Sequence, residues 1–150
     1  MKKIAFISAT WHSDLLEGAS GSCEAVLTDA GRAADRFVVP GALEFPLFAK
    51  RLSESGRYAA VIAFGLIVDG GIYAHEFVAE AVISGMMKVQ LETGVPILSC
   101  VLTPRQFDET PERIGYFREH LIGKGREVGG ACLKLLAAMD DPRLAEKLAY

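Results

Sequence analysis

Residues whose types suit ring stacking, hydrogen bonding, anion binding and proton transfer occur at three places along the chain. Trp11 follows a short apolar run and offers a flat indole that can stack on a heterocycle. Glu44 lies near a predicted helix start, where its carboxylate can accept hydrogen bonds from a polyol. Gly70 and Gly71 expose backbone N–H groups before a helix, as phosphate-binding loops do. His75 follows that glycine pair and is a candidate proton carrier.

Each of these residues also has an ordinary structural explanation. A lone Trp11 is more often a core or interface side chain, and Glu44 can simply favour the helix dipole. Most adjacent glycines form plain turns, and His75 could face solvent or cap a turn. The positive end of the helix would disfavour a charged imidazolium at His75. A neutral imidazole is the form that a general base or a proton shuttle needs, so this position also suits catalysis. Only the geometry of the site decides between these interpretations.

Short apolar runs alternate with segments of helical periodicity. The runs predict strands at Ile4–Ile7, Phe37–Val39, Ala59–Phe64 and Ile97–Leu102. The intervening segments predict helices at Ser13–Ala30, Leu43–Ser55, around Phe77–Val89, and at Lys124–Met139. Ser13 is the predicted N-cap of the first helix, and Gly94 is the predicted end of the third. A short helix is allowed in the tail Asp140–Tyr150. This alternation predicts a single α/β domain over residues 1–150, with a parallel sheet between two helical layers. Ligands bind beyond the carboxyl ends of such strands, where the candidate residues stand.

Composition excludes several classes of function. The net charge of −3 and the dispersed basic residues argue against nucleic-acid binding. No apolar run approaches the roughly 20 residues of a membrane span, and the N-terminal apolar stretch is too short for a signal peptide. Three widely spaced cysteines predict neither a metal site nor a disulfide framework, and they favour a reducing, cytoplasmic location. The apolar content of 51% fits either a rich core or subunit contacts.

Three motifs occur in the order typical of one enzyme family. They are WHSDL at Trp11–Leu15, VPGALEFP at Val39–Pro46 and DGGIYAHEFV at Asp69–Val78. With them, the chain resembles lumazine synthase, the penultimate enzyme of riboflavin synthesis, over nearly its whole length. The histidine comes one residue later than in the common bacterial form, and this position, together with Ser84–Leu91, resembles the type II subfamily.

The resemblance implies a flavodoxin-like three-layer α/β/α sandwich with a four-stranded parallel sheet. It implies a homo-oligomer, a pentamer or a decamer of two pentamers, with active sites between neighbouring subunits. The implied reaction condenses 5-amino-6-ribitylaminouracil with 3,4-dihydroxy-2-butanone 4-phosphate to give 6,7-dimethyl-8-ribityllumazine. The substrate amine itself forms the imine, so the resemblance implies no cofactor, no metal and no catalytic lysine.

The resemblance also implies roles for individual residues. His75 would move protons during phosphate elimination and ring closure. The residues expected to bind the pyrimidine and its ribityl chain are Trp11, Gly41, Ala42, Glu44, Ile67, Val68 and Lys124. Those expected to bind phosphate are Gly70, Gly71, Ile72 and His120. Lys124 has an alternative role as the start of the last helix.

One position departs from the common form of the family. Tyr116 stands where that form carries a phosphate-binding arginine, and the nearby cations are Arg113, Arg118 and His120. We select His120 because Glu-His recurs there in type II relatives, although a solvated charged face explains all three cations equally well. Loss of that arginine also fits a relative that binds lumazine or flavin with little or no turnover. A different sugar-phosphate enzyme on the same fold is a third hypothesis.

Overall fold

A computed structural model of the chain describes residues 1–69, 74–104 and 107–149. The strands are β1 (Lys3–Ala9), β2 (Ala34–Val39), β3 (Tyr58–Leu66) and β4 (Ile97–Leu102). The helices are α1 (Ser13–Asp29), α2 (Phe45–Glu54), α3 (His75–Thr93), α4 (Pro111–Met139) and α5 (Pro142–Leu148), with a single 3-10 turn at Ala42–Glu44. The predicted alternation of strands and helices is thus confirmed.

The four strands form one parallel sheet in the order β2-β1-β3-β4. In its register Ile7 of β1 pairs with Phe37 of β2 on one side and with Ala63 of β3 on the other. The order reproduces the first four positions of the flavodoxin-like topology. Helices α1 and α4 pack together, as do α2 and α3, so the sheet lies between two helical layers. The predicted three-layer α/β sandwich is confirmed.

The two central strands form the most buried part of the core. Ile4, Ile7, Ile62 and Phe64 are fully excluded from solvent. Their continuous apolar sequences follow from burial on both faces of a parallel sheet. Phe6 also packs edge-to-face on Phe64, with ring centroids 5.1 Å apart. This rigid centre fixes the strand ends from which the candidate residues project.

Small residues allow α1 and α4 to approach each other closely. Gly125 of α4 lies against the Ala19 carbonyl, so that a Cβ at this position would overlap the backbone of α1. Ser22 of α1 donates a hydrogen bond to the Ile122 carbonyl of α4 at 2.7 Å. Gly18, which weakens α1 as an isolated helix, faces the Ile122 side chain in the same contact. The small residues that lower the helix propensity of this segment are therefore the ones that allow the two helices to pack closely.

Two helices differ from their predicted bounds. The last helix begins at Pro111, thirteen residues before the predicted Lys124, with Thr110 as an N-cap that accepts from the Arg113 amide. The predicted helix Leu43–Ser55 is divided into the 3-10 turn and α2, which leaves Pro46 in the first turn of α2, where proline is tolerated.

The start of α1 also differs from prediction. Its N-cap is His12 rather than Ser13, and His12 adopts left-handed backbone angles of φ 53° and ψ 40°. The predicted end of α3 at Gly94 is confirmed, with φ 70° at that glycine. Within the described ranges, no helix is long and apolar enough to cross a membrane.

Candidate functional site

An open cleft of about 480 Å³ lies at the carboxyl ends of β1, β2 and β3. Its size is within the range of small-molecule sites. The described residues that line it are Ala9, Trp11, Gly41, Ala42, Leu43, Glu44, Leu66, Ile67, Val68 and Val78. Six of the seven residues predicted to bind the pyrimidine and its chain are therefore together in this cleft, and Lys124 is the exception.

Trp11 forms one wall of the cleft, and hydrogen bonds fix the residues on both sides of it. The preceding Thr10 donates from its amide to the Val39 carbonyl at 3.1 Å and from its hydroxyl to the Pro40 carbonyl at 2.9 Å. The following His12 is fixed as the cap of α1. The indole itself is 43% exposed, so one of its surfaces is available for stacking on a planar ligand.

Glu44 supplies the polar group of the cleft. It ends the 3-10 turn, in which its amide donates to the Gly41 carbonyl at 3.2 Å. Its carboxylate is solvent-accessible, and a Cβ at Gly41 would lie 3.3 Å from its Oε2. Of the described lining residues only Glu44 carries a charge. A single acceptor in an apolar cleft suits recognition of the hydroxyl or amine groups of a ligand.

The floor of the cleft continues from the central strand β3. Leu66 and Ile67 are buried, and the Ile67 amide donates to the Leu102 carbonyl of β4 at 2.9 Å. Below them, Gly65 lies so close to the Phe45 ring that a Cβ would approach it to 3.0 Å. These contacts fix the backbone of β3 directly under the lining residues Ile67 and Val68.

His75 is the first residue of α3 and is not among the described lining residues. It precedes the lining residue Val78 by three positions, which places the two on the same face of the helix. Its side chain is buried, and its Nδ1 lies 3.5 Å from Oε1 of Glu76 without a hydrogen bond to any described residue. A buried, unsatisfied imidazole nitrogen near a cleft is a candidate for contact with a ligand.

The predicted phosphate loop is outside the described residues. Gly70, Gly71 and Ile72 fall in the gap between positions 69 and 74. Their predicted role therefore stays a prediction.

His120 and Lys124 lie in a second place, which we call the α4 groove. This groove of about 370 Å³ runs along one helix and is lined by Tyr116, Glu119, His120, Gly123, Lys124 and Glu127. The His120 ring stacks on Tyr116 with centroids 5.7 Å apart, and the Lys124 ammonium donates to Glu127 at 2.9 Å. The cleft and the α4 groove share no described lining residue.

The candidate cations near Tyr116 have different surroundings. Arg118 pairs with Asp14 at 3.6 Å, and Arg113 lies 4.0 Å from Asp108. Both guanidinium groups therefore have an acidic neighbour, whereas His120 faces the groove. The alternative role of Lys124 as a helix start is wrong, because Lys124 lies in the middle of α4.

Cysteine side chains are poor nucleophile candidates in this protein. Cys100 lies beside Lys124 along β4, yet burial raises the pKa of its thiol to about 12. Burial also raises the pKa of Cys23 to about 12 and that of Cys132 to about 11. Protonated thiols do not attack carbonyl groups efficiently. Among the described residues, no three His, Cys, Asp or Glu side chains are arranged to hold a metal ion.

Some residues at the cleft were not predicted from the sequence. Ala9, Leu66 and Val78 complete its apolar wall, and Phe107 packs on Trp11 with centroids 5.9 Å apart. The apolar wall residues are indistinguishable in sequence from core residues. The Phe107 contact joins positions distant along the chain, and no local pattern indicates it.

This chain is similar to known proteins that are named as lumazine synthases. The family model described as 6,7-dimethyl-8-ribityllumazine synthase matches residues 1–140. A 6,7-dimethyl-8-ribityllumazine synthase of Rhodococcus erythropolis is 49% identical over 87% of this chain and 86% of its own length. A protein of Bradyrhizobium diazoefficiens named 6,7-dimethyl-8-ribityllumazine synthase 2 is 46% identical over 93% of this chain and 85% of its own length. A protein of the same name in Pseudomonas syringae is 44% identical over 90% of this chain and 81% of its own length. The cleft and these matches together place the chain in the 6,7-dimethyl-8-ribityllumazine synthase family.

Proposed function

We propose that this protein condenses 5-amino-6-ribitylaminouracil with 3,4-dihydroxy-2-butanone 4-phosphate to form 6,7-dimethyl-8-ribityllumazine in riboflavin biosynthesis. The observation that carries the proposal is the cleft, in which an exposed indole and one carboxylate stand in otherwise apolar surroundings. Membership in the synthase family supports the choice of substrates.

In this proposal the cleft binds and orients the pyrimidine. The ring stacks on Trp11 and rests on the strand end at Ile67 and Val68, while Glu44 accepts hydrogen bonds from the ribityl hydroxyls. The 5-amino group of the substrate attacks the ketone itself, so the protein needs no nucleophile of its own. Correct orientation of two bound reactants can supply several kcal/mol of the barrier, up to roughly 7–11 kcal/mol.

His75 is proposed to carry protons during phosphate elimination and ring closure. Its Nδ1 has no hydrogen bond within the described part of the chain, so it is available to a bound reactant. The backbone amides of residues 70–72 are proposed to bind the phosphate from the same chain. His120 is proposed to add a donor from the α4 groove.

The proposed site requires two copies of the chain. The cleft holds the groups that fit the pyrimidine, while His120 and Lys124 lie in the separate α4 groove. A neighbouring subunit that presents its groove to the cleft would complete the site. We therefore propose a homo-oligomer, a pentamer or a decamer of two pentamers.

An exposed apolar stripe on α3 supports assembly. Ile83, Met87 and Leu91 recur every four residues and are 40%, 51% and 76% exposed, and Phe77 on the same helix is 74% exposed. Such a stripe is unfavourable in water and is typical of surfaces that become covered. We further propose a cytoplasmic location, which the three unbridged thiols support.

The direct test mixes the purified protein with both substrates and follows lumazine absorbance after the spontaneous rate is subtracted. A protein-dependent rate that saturates with both substrates is expected. A rate equal to background, together with micromolar or tighter riboflavin binding, would instead identify a ligand-binding relative without useful turnover. Absence of any pyrimidine or flavin binding would point to a different sugar-phosphate enzyme.

A further inference from the structure

His12 combines three features beside the cleft, of which its backbone angles and its buried imidazole are unusual. In the part of the chain that the structure describes, it is the one non-glycine residue with a positive φ. Its carbonyl accepts from the Leu15 and Leu16 amides at 3.0 and 3.1 Å, which fixes the first turn of α1. Its side chain is only 13% exposed, and its Nε2 is buried without a hydrogen bond to a described residue. A strained backbone and an unsatisfied buried nitrogen both cost stability, and such features occur most often at functional sites.

The His12 imidazole packs against two aromatic rings, which also contact each other. Its ring centroid is 4.0 Å from that of Trp11 and 4.9 Å from that of Phe107, both in edge-on contact. Phe107 in turn packs on Phe117 of α4 at 5.2 Å. A row of rings therefore connects the wall of the cleft with the last helix.

An acidic side chain faces the same imidazole. Oε1 of Glu109 lies 3.5 Å from Nε2 of His12, and the Glu109 side chain is 75% exposed. Other charges on the adjoining helices, Asp14 of α1 and Arg118 of α4, pair with each other at 3.6 Å. Glu109 is thus the acid that faces His12 in the described part of the chain, and it belongs to the segment immediately before α4.

We propose that His12 is a positioning residue whose imidazole, packed against Trp11 and Phe107 and facing Glu109, fixes the indole over the cleft. In this way His12 sets the affinity for the planar ring of the ligand. The inference rests on the proposed function only in its choice of ligand. His12 is not among the described residues that line the cleft. Its loss should weaken binding of the pyrimidine while leaving the chemical step almost unchanged.

The test uses the only tryptophan in the chain as its probe. His12→Asn removes the ring but keeps a residue that tolerates left-handed backbone angles. Glu109→Gln keeps the packing and removes the charge. Glu112→Gln, an exposed acid three residues further along, is the matched control. Each full-length variant is measured for Trp11 emission, for quenching by riboflavin, and for KM and kcat with both substrates.

We expect His12→Asn to shift Trp11 emission to longer wavelength and to raise the riboflavin Kd and the pyrimidine KM by about five- to tenfold, with kcat within about twofold. Glu109→Gln should raise the riboflavin Kd and the pyrimidine KM by about two- to threefold, and Glu112→Gln should change neither constant. Should His12→Asn fail to fold, Glu109→Gln alone decides the matter.

The proposal is overturned if emission and riboflavin affinity stay at wild-type values in both variants. It is also overturned if kcat falls by the same factor by which KM rises, while the melting temperature falls as well. That pattern indicates a merely structural role. A wild-type protein that binds riboflavin but makes no lumazine would contradict the proposed function and still leave the His12 test intact.

Discussion

The cleft and the α4 groove differ in chemistry and in construction. The cleft is apolar with one carboxylate and is assembled from the ends of three strands, whereas the groove has histidine, lysine and two glutamates on a single helix. The first suits a flat ring, and the second suits charged or polar groups. In the proposed oligomer, a ligand with both kinds of group would contact the cleft of one subunit and the groove of its neighbour.

The two places also differ in how they are fixed. The cleft depends on backbone hydrogen bonds such as that from the Ile67 amide to the Leu102 carbonyl. The groove depends on where α4 lies, and α4 is fixed by its close contact with α1 through Gly125 and Ser22. A substitution in α1, far from the groove in sequence, can therefore move the whole α4 groove.

Mixing two defective chains gives the largest expected effect. Glu44→Ala damages the cleft and Lys124→Ala damages the groove, and each should lower kcat/KM by about 100-fold, since each removes a charged partner of the bound substrate. Co-expressed in one oligomer, they should recover about a quarter of wild-type activity, because one pairing in four joins an intact cleft to an intact groove. Activity in purified mixed oligomers is the measurement. A mixture as inactive as its parents would put the whole site within one chain.

Gly125→Ala tests whether the α1–α4 contact positions the groove. The added methyl group meets the Ala19 carbonyl and the Ser22 hydroxyl, so the free energy of unfolding should fall by about 2 kcal/mol. Gly130→Ala is the control on the same helix, where no atom lies within 4 Å of the new Cβ. Its greater helix propensity should leave stability unchanged or raise it slightly in chemical denaturation. Equal destabilisation by both changes would contradict the close-contact account.

His75→Ala tests whether orientation outweighs proton transfer. Because the substrate amine supplies the nucleophile, we expect kcat to fall by about tenfold and not to vanish, measured under saturating substrates. Complete loss of turnover by a correctly assembled variant would show that proton transfer dominates. Riboflavin affinity should change little, which separates His75 from the residues of the cleft wall.

Glu127→Gln gives the smallest expected effect and concerns the groove alone. The Glu127 carboxylate holds the Lys124 ammonium at 2.9 Å, so its neutralisation frees Lys124 for a substrate carbonyl. Since such exposed pairs contribute roughly 0.3–0.5 kcal/mol, the pyrimidine KM should fall by about twofold. A rise in KM would show that Glu127 orients Lys124 rather than competing for it.

The sequence predicted the cleft better than the groove for physical reasons. Trp11, Glu44 and Val68 each follow an apolar strand, and parallel strands necessarily bring such ends together. The N-terminal half of α4 carries Gly115 and Gly123, and its low propensity concealed a helix that tertiary packing stabilises. The contacts of His12 with Phe107 and Glu109 could not be predicted either, because no local pattern connects these residues.

The length of α4 has a consequence for its amide protons. At 29 residues the helix is about 43 Å long, whereas the adjacent β4, with 6 residues, extends about 20 Å. Part of the helix therefore extends past the strand on which it packs. In an isolated chain the uncovered turns should exchange their amide hydrogens with deuterium sooner than the turns against α1, and contact with a neighbouring subunit should slow that exchange.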